Sequence, residues 1–219
     1  MNVKNKFNEN DPGEKPKSVK TRNVRRSAKS KRKPRKIVLI GASKSGKTAL
    51  AKRFVYNTYS DKYTPTVEEV YHCDYSYHGY NLNLEIIDLP SPFQFPAMRD
   101  LYIYKADIIM LVYEIGNKAS IKEVRTIYPI IKEQRSDLGT NLPVVLVGTK
   151  SDQVGQGTDE DVSDIPVDIH TITSAKYSSN INESFELGLD GIVHKIRTMS
   201  ATLEPTPAES KSDCFCCCL

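Results

Sequence analysis

The amino-acid sequence predicts an α/β fold, a sheet of buried strands packed with helices, and three stretches carry the prediction. Lys36-Ile-Val-Leu-Ile40 is a short apolar, β-branched run that leads directly into a glycine-bearing loop, Gly41 to Thr48, and then into a helical stretch, Ala49 to Val55. Leu82-Asn-Leu-Glu-Ile-Ile87 is a second such run and ends in Asp88; Pro143-Val-Val-Leu-Val147 is a third and ends in Gly148-Thr-Lys-Ser-Asp152. Strands that deliver polar, chemistry-bearing residues at their C-terminal ends are the pattern of open α/β sheets, whose ligands bind there.

At 219 residues and 39% hydrophobic content, the chain has material for one sizeable core, which favours a single domain with tails. Charge is unevenly spread: residues 1–35 hold thirteen Lys or Arg and three Asp or Glu, a balance of +10, and the remainder stands at −6. That arm, densest from Arg22 to Lys36, has too few apolar residues to offset the entropy of ordering and is expected to be disordered. It reads as a solvated linker, as a patch for anionic membrane lipid at about 1 kcal/mol per nearby Lys or Arg, or as a nuclear-import or nucleic-acid segment. Membrane lipid ranks first because of the other end of the chain. No apolar run of about eighteen residues occurs and the N-terminus has no apolar signal core, so the protein is expected in the cytosol. Four of the five cysteines crowd the last six residues, which excludes a disulfide framework for the core.

The first loop, Gly41-Ala-Ser-Lys-Ser-Gly-Lys-Thr48, has the spacing G-x-x-x-x-G-K-T in a strand-loop-helix context. Gly41 and Gly46 permit backbone angles that turn successive N–H groups inward around phosphates, with Ser43, Lys44 and Ser45 between them and Ala49 opening the helix. The new helix adds its positive end to the same place. Lys47 supplies a point charge to the β- and γ-phosphates, and the Thr48 hydroxyl suits Mg²⁺, which prefers hard oxygen ligands. A phosphate loop alone does not choose between ATP and GTP. After the third strand come Thr149-Lys-Ser-Asp152, a short strand candidate around Val167 to Ile172, and Thr173-Ser-Ala-Lys176. Guanine presents two donors to a carboxylate able to accept both, so Asp152 at a strand end reads guanine in principle; adenine has no such pair.

At these residues the chain resembles a Ras-type small GTPase, from about Lys36 to Thr198, with five blocks in order. Gly41 to Thr48 matches the phosphate loop. Tyr59-Ser-Asp-Lys-Tyr-Thr-Pro-Thr66 resembles the first switch: Tyr59 stands where an aromatic meets the guanine, Tyr63 where a tyrosine closes over the phosphates, and Thr66 where a threonine ligates Mg²⁺ and senses the γ-phosphate. Asp88 occupies the place of the second-switch aspartate that holds Mg²⁺ through water, and Ala97-Met-Arg-Asp100 repeats a Ras-like tetrapeptide that fixes the alignment beyond it. Thr149, Lys150 and Asp152 resemble the guanine motif, and Ser174, Ala175 and Lys176 the loop whose N–H at Ala175 faces the guanine O6. The resemblance implies a P-loop NTPase fold, with a mixed six-stranded sheet and helices on both faces. It further implies GTP and GDP as ligands, Mg²⁺ as cofactor, and hydrolysis of GTP to GDP and phosphate. The partners it implies are effectors contacting Thr64 to Tyr71 and the segment after Asp88, an exchange factor and an activating protein, with the chain itself a monomer; no nucleic acid is expected, because the domain sequence offers no charged or aromatic surface to join the basic arm.

Within that pattern, Gln153 to Pro166 shows two glycines, a proline and no 3.6-residue period, so the helix usual there is expected to be shortened or missing. The last helix is expected to start near Asn180 and to bury Ile181, Phe185, Leu189, Ile192 and Ile196, weakened by Gly188 and Gly191 at roughly 1 kcal/mol each.

Three departures fall beside the γ-phosphate. The family's DxxG glycine is Ser91, the water-orienting glutamine is Pro92, and the glycine of the phosphate loop is Ser43. Pro92 has neither a side-chain amide nor an N–H, and both matter in phosphoryl transfer. It also pushes Ser91 toward extended conformations. Ser43 adds bulk where an activating arginine would enter. No residue is assigned as catalytic; Thr66, Lys47 and Ser91 are those nearest the γ-phosphate, and slow hydrolysis or a GTP-binding scaffold without useful turnover is expected. Gln94 is a weaker substitute for the missing glutamine, because the register of Ala97 to Asp100 places it two positions late.

The chain ends Cys214-Phe-Cys-Cys-Cys-Leu219, which reads as C-a-a-X with Cys216 as prenyl acceptor, a terminal leucine favouring geranylgeranyl, and Cys214 available for palmitate. A zinc cluster competes as a reading, but four crowded cysteines without histidine or paired spacing make a poor site. One lipid anchors only marginally and needs a second signal; the basic arm would supply it. The expected organisation is a disordered basic arm at 1–35, a GTP-binding domain at 36–198, and a flexible lipidated tail at 199–219, held on the cytoplasmic face of the plasma membrane or another cell membrane.

Overall fold

Strand β1 (Arg35–Ile40) sends Ile37 and Leu39 to one face of the sheet and Val38 and Ile40 to the other, and all four are fully buried. A strand buried on both sides belongs in the middle of a sheet covered on both faces. Joining it are β2 (Glu69–Tyr77), β3 (Tyr80–Asp88), β4 (Ile108–Glu114), β5 (Val144–Thr149) and β6 (Ile169–Ile172). Their order is β2-β3-β1-β4-β5-β6, with β2 antiparallel to β3 and every other neighbouring pair parallel, the mixed six-stranded sheet that was expected. This computed structural model describes residues 33–136, 142–153, 161–167 and 169–201. Most of the basic arm, and the tail bearing Cys214 and Cys216, lie outside the described residues.

Helices α1 (Lys47–Tyr56) and α4 (Ile181–Ala201) cover the face of Ile37 and Leu39, where Phe54 stacks on Phe185 with ring centroids 3.9 Å apart. Helices α2 (Pro96–Lys105) and α3 (Lys118–Ser136) cover the other face. There α3 buries Ile121, Val124, Ile127, Tyr128 and Ile131, the spacing of one helical stripe. The chain leaves β1 toward β3 and leaves β4 toward β5, so the loops at their C-terminal ends diverge and open a crevice.

The stretch between β5 and β6, where a shortened or missing helix was expected, lies partly outside the described residues (154–160 and 168). Among the described residues it contains a single 3₁₀ turn, Ser151–Gln153, and then an irregular segment strapped to α3. Arg125 reaches both Asp164 carboxylate oxygens (2.7 and 3.0 Å) and the Asp161 carbonyl (2.7 Å), and Ile165 enters the core.

Helix α4 buries Ile181, Phe185, Leu189 and Ile192 and half-buries Ile196. Its two glycines are not equivalent. A β-carbon at Gly188 would stand 2.8 Å from Ile108 Cγ2, so glycine is what lets the helix approach β4, whereas Gly191 has ordinary space beside Pro143. Ile108 opens β4 and Pro143 precedes β5, so the second half of α4 runs past the N-terminal ends of the strands, away from the loop at Gly41. No helix among the described residues is long and apolar enough to cross a membrane.

Candidate functional site

The crevice holds the loop Gly41–Thr48. At Gly41 a β-carbon would lie 2.0 Å from the Val112 carbonyl oxygen of β4, an impossible contact, so glycine there is dictated by backbone against backbone. Lys44 (φ 64°) and Gly46 (φ 93°) are left-handed, the kind of turn that gathers successive N–H groups on one side. Ser43 and Lys44 are exposed at the tip, Ser45 is buried, and Ala49 is half-buried in the first turn of α1.

Lys47 is almost wholly buried and its Nζ donates to the carbonyls of Gly41 (2.8 Å) and Ala42 (2.7 Å). Burial lowers its pKa to about 8, while the negative charges of Asp88 and Glu123 pull the other way. The Thr48 hydroxyl donates to Asp88 Oδ2 (2.5 Å) and lies 2.9 Å from the Thr66 hydroxyl. Asp88 is fully buried, and burial raises its pKa to about 6 against the Thr48 hydrogen bond and the Lys47 charge. Its Oδ1 makes no hydrogen bond. Three hard oxygen donors from three separate segments thus converge, one carboxylate oxygen unengaged, which is a donor set that fits Mg²⁺.

Around this centre the first switch is exposed. Tyr63 lies over the loop tip, with Lys44 Nζ 5.4 Å from its ring centroid. Tyr59 bonds its hydroxyl to Asp61 (2.8 Å), and the Arg53 guanidinium sits 5.8 Å from its ring. Arg53, on α1, also donates to the carbonyls of Ala175 (2.6 Å) and Lys176 (3.2 Å), tying the first switch, α1 and the base loop together.

On the base side, the Thr149 hydroxyl lies within hydrogen-bonding distance of the Ser45 carbonyl (2.5 Å) and the Tyr113 carbonyl (2.9 Å), which fastens the strand-end motif to the phosphate loop. Lys150 is left-handed (φ 58°) and pairs with Glu114 at 2.7 Å. Ser174 Oγ donates to Asp152 Oδ1 (2.5 Å), so the two loops meet and the second carboxylate oxygen of Asp152 keeps its accepting capacity. Lys176 sits beside Ala175 in the turn between Ser174 and Ser179.

The second switch is arranged differently. Pro92 is buried, and its carbonyl accepts from Arg99 Nη1 (3.4 Å); Ser91 Oγ donates to Glu123 Oε2 on α3 (3.3 Å). Gln94 is exposed, its N–H spent on the Ser91 carbonyl at 3.1 Å.

A family model described as the Ras family matches residues 36–194, which covers β1 through most of α4 and every segment just described. The chain belongs to the Ras family. Among curated relatives it is 31% identical to GTP-binding protein drn-1 of Caenorhabditis elegans, over 77% of this chain and 79% of the relative. It is 33% identical to GTP-binding protein Di-Ras2 of Macaca fascicularis, over 77% and 86%, and 31% identical to GTP-binding protein Rhes of Mus musculus, over 68% and 61%. In this Ras-family chain, Arg53, Glu114 and Glu123 are site residues that sequence reasoning missed. Glu114 carried a usable signal, a lone charge closing the apolar run Ile108–Tyr113; Arg53 and Glu123 sit among other charges on helices and carried none.

Proposed function

We propose that the protein is a lipid-anchored guanine-nucleotide switch in signal transduction that binds GTP and GDP with Mg²⁺ and hydrolyses GTP slowly. The observation that carries this reading is the join at Thr149, whose hydroxyl links the guanine-type motif to the phosphate loop and so sets base and phosphate recognition at one distance. Lys47 and the loop N–H groups would bind the phosphates, Asp152 would accept the two guanine donors, and the Ala175 N–H would meet the O6. Thr48, Thr66 and Asp88 would hold Mg²⁺, which when bound neutralises charge on the phosphate oxygens. Phosphate beside Lys47 and a cation beside Asp88 would each favour the charged side chain, offsetting the burial that now disfavours it.

Slow turnover follows from the second switch. Pro92 offers no group to orient a water, Ser91 is engaged with Glu123, and Ser43 stands at the loop tip where an activating arginine would approach. The same residues favour a second reading, a GTP-binding scaffold with negligible turnover. Effectors would read the exposed first switch and the segment after Asp88, and an exchange factor and activating protein would act on the same surface. Prenylation at Cys216, palmitate at Cys214 and the basic arm would together hold the chain on the cytoplasmic face of a cell membrane. The placement of the ends supports this, since β1 begins and α4 finishes on the side away from the nucleotide loop.

The nucleotide co-purifying with the full chain tests the central claim. Guanine nucleotide at near one equivalent, lost on chelating Mg²⁺, is expected; adenine nucleotide or none would overturn it. For the anchor, a fluorescent fusion should leave membranes on Cys216→Ser or on neutralising Arg22 to Lys36, and retention in both cases would defeat the two-signal arrangement.

A further inference from the structure

Glu123 lies on α3, half-buried, and belongs to none of the family motifs identified in the sequence. Its Oε2 accepts a hydrogen bond from Ser91 Oγ at 3.3 Å. Ser91 stands three residues beyond Asp88, at the position that the family resemblance sets beside the γ-phosphate. We propose that Glu123 sets the balance between guanosine di- and triphosphate: its carboxylate, held against Ser91, opposes the γ-phosphate and so favours the diphosphate.

This rests on the nucleotide-switch reading. Both nucleotides share the contacts of Gly41–Thr48 with the β-phosphate, so those contacts cannot distinguish them. Only the triphosphate adds negative charge on the Ser91 side, and like charges in a partly buried site repel with little screening. Arg99, on the neighbouring α2, is committed elsewhere: it pairs with Asp100 (2.7 Å) and bonds the Pro92 carbonyl (3.4 Å). A neutral hydroxyl from Ser91 positions the carboxylate without cancelling its charge. Glycine at position 91 could not do this, so the device depends on the very residue by which the chain departs from its family.

The test is competition binding on the full chain with Mg²⁺, using a fluorescent GDP displaced by GDP or by a non-hydrolysable β,γ-imido analogue of GTP. Glu123→Gln should raise the triphosphate-to-diphosphate affinity ratio on the order of fivefold by strengthening triphosphate binding alone. Glu123→Asp, which keeps the charge, should leave the ratio within about twofold of wild type, and so should Glu133→Gln, an exposed carboxylate on the same helix. An unchanged ratio in Glu123→Gln, or equal shifts for both ligands, would overturn the inference while leaving guanine binding intact. A wild-type chain that binds neither ligand would instead overturn the switch reading on which it stands.

Discussion

The two halves of the site treat the same nucleotide differently. The gripping half, from the phosphate loop to the base loops, is cross-braced: Thr149 to Ser45, Ser174 to Asp152, Arg53 to Ala175, Lys47 to Gly41. The second switch, from Asp88 to Phe95, keeps its buried aspartate but fills the next positions with two prolines and a serine bonded to α3. The cross-braced half matches the family's binding motifs, whereas the second switch carries Ser91 and Pro92 where the family pattern has glycine and glutamine. On the proposed reading, a protein built this way would hold a guanine nucleotide firmly and hydrolyse it slowly.

The largest effect should come from breaking the gripping half at its tightest point. Gly41→Ala would drive a β-carbon to 2.0 Å from the Val112 carbonyl, backbone that cannot swing aside, so either the loop or β4 must move. A stability loss of about 3 kcal/mol is expected in urea denaturation, together with loss of nucleotide binding by at least about a hundredfold. A variant of wild-type stability and affinity would show that the loop does not pack as described. Next comes Thr149→Val, which keeps the shape but removes the hydroxyl shared by two buried carbonyls. Leaving a buried acceptor unsatisfied costs about 1–3 kcal/mol, and GDP affinity by equilibrium titration should fall about tenfold with little change in the hydrolysis rate of bound GTP.

The gripping half was largely legible in the sequence because its chemistry dictates spacing. Phosphates need glycines at Gly41 and Gly46 and a lysine after them, and those positions can be counted along the chain. What was not legible depended on residues distant in sequence. Gly188 looks like a weakness in a helix until Ile108, eighty residues earlier, is found 2.8 Å from where its β-carbon would go. Position 191, with identical local propensity, has no such neighbour. Likewise the glycines after Asp152 gave warning of an irregular stretch, but the clasp of Arg125 on Asp164 among the described residues could not be read locally. Glu123 is the same case: a helical glutamate with no local mark acquires meaning only when α3 packs beside Ser91.

The smallest expected effect is the most informative about the second switch. Pro92→Gln returns a side-chain amide to the water-orienting position and a backbone N–H to the turn, and single-turnover hydrolysis of bound GTP should rise about fivefold, with GDP affinity unchanged. The gain is held well below the 10³ to 10⁵ that a complete set of groups supplies, because two obstacles remain in place. Ser91 still gives its hydroxyl to Glu123, fixing the neighbouring backbone, and Ser43 still occupies the loop tip. Adding Ser91→Gly to Pro92→Gln frees that backbone and should raise the rate more than the product of the two single effects, since the changes act on adjacent residues of one turn. Strict multiplicativity would mean that the serine latch and the proline act independently. No gain in either variant would mean that the second switch was never the limiting half.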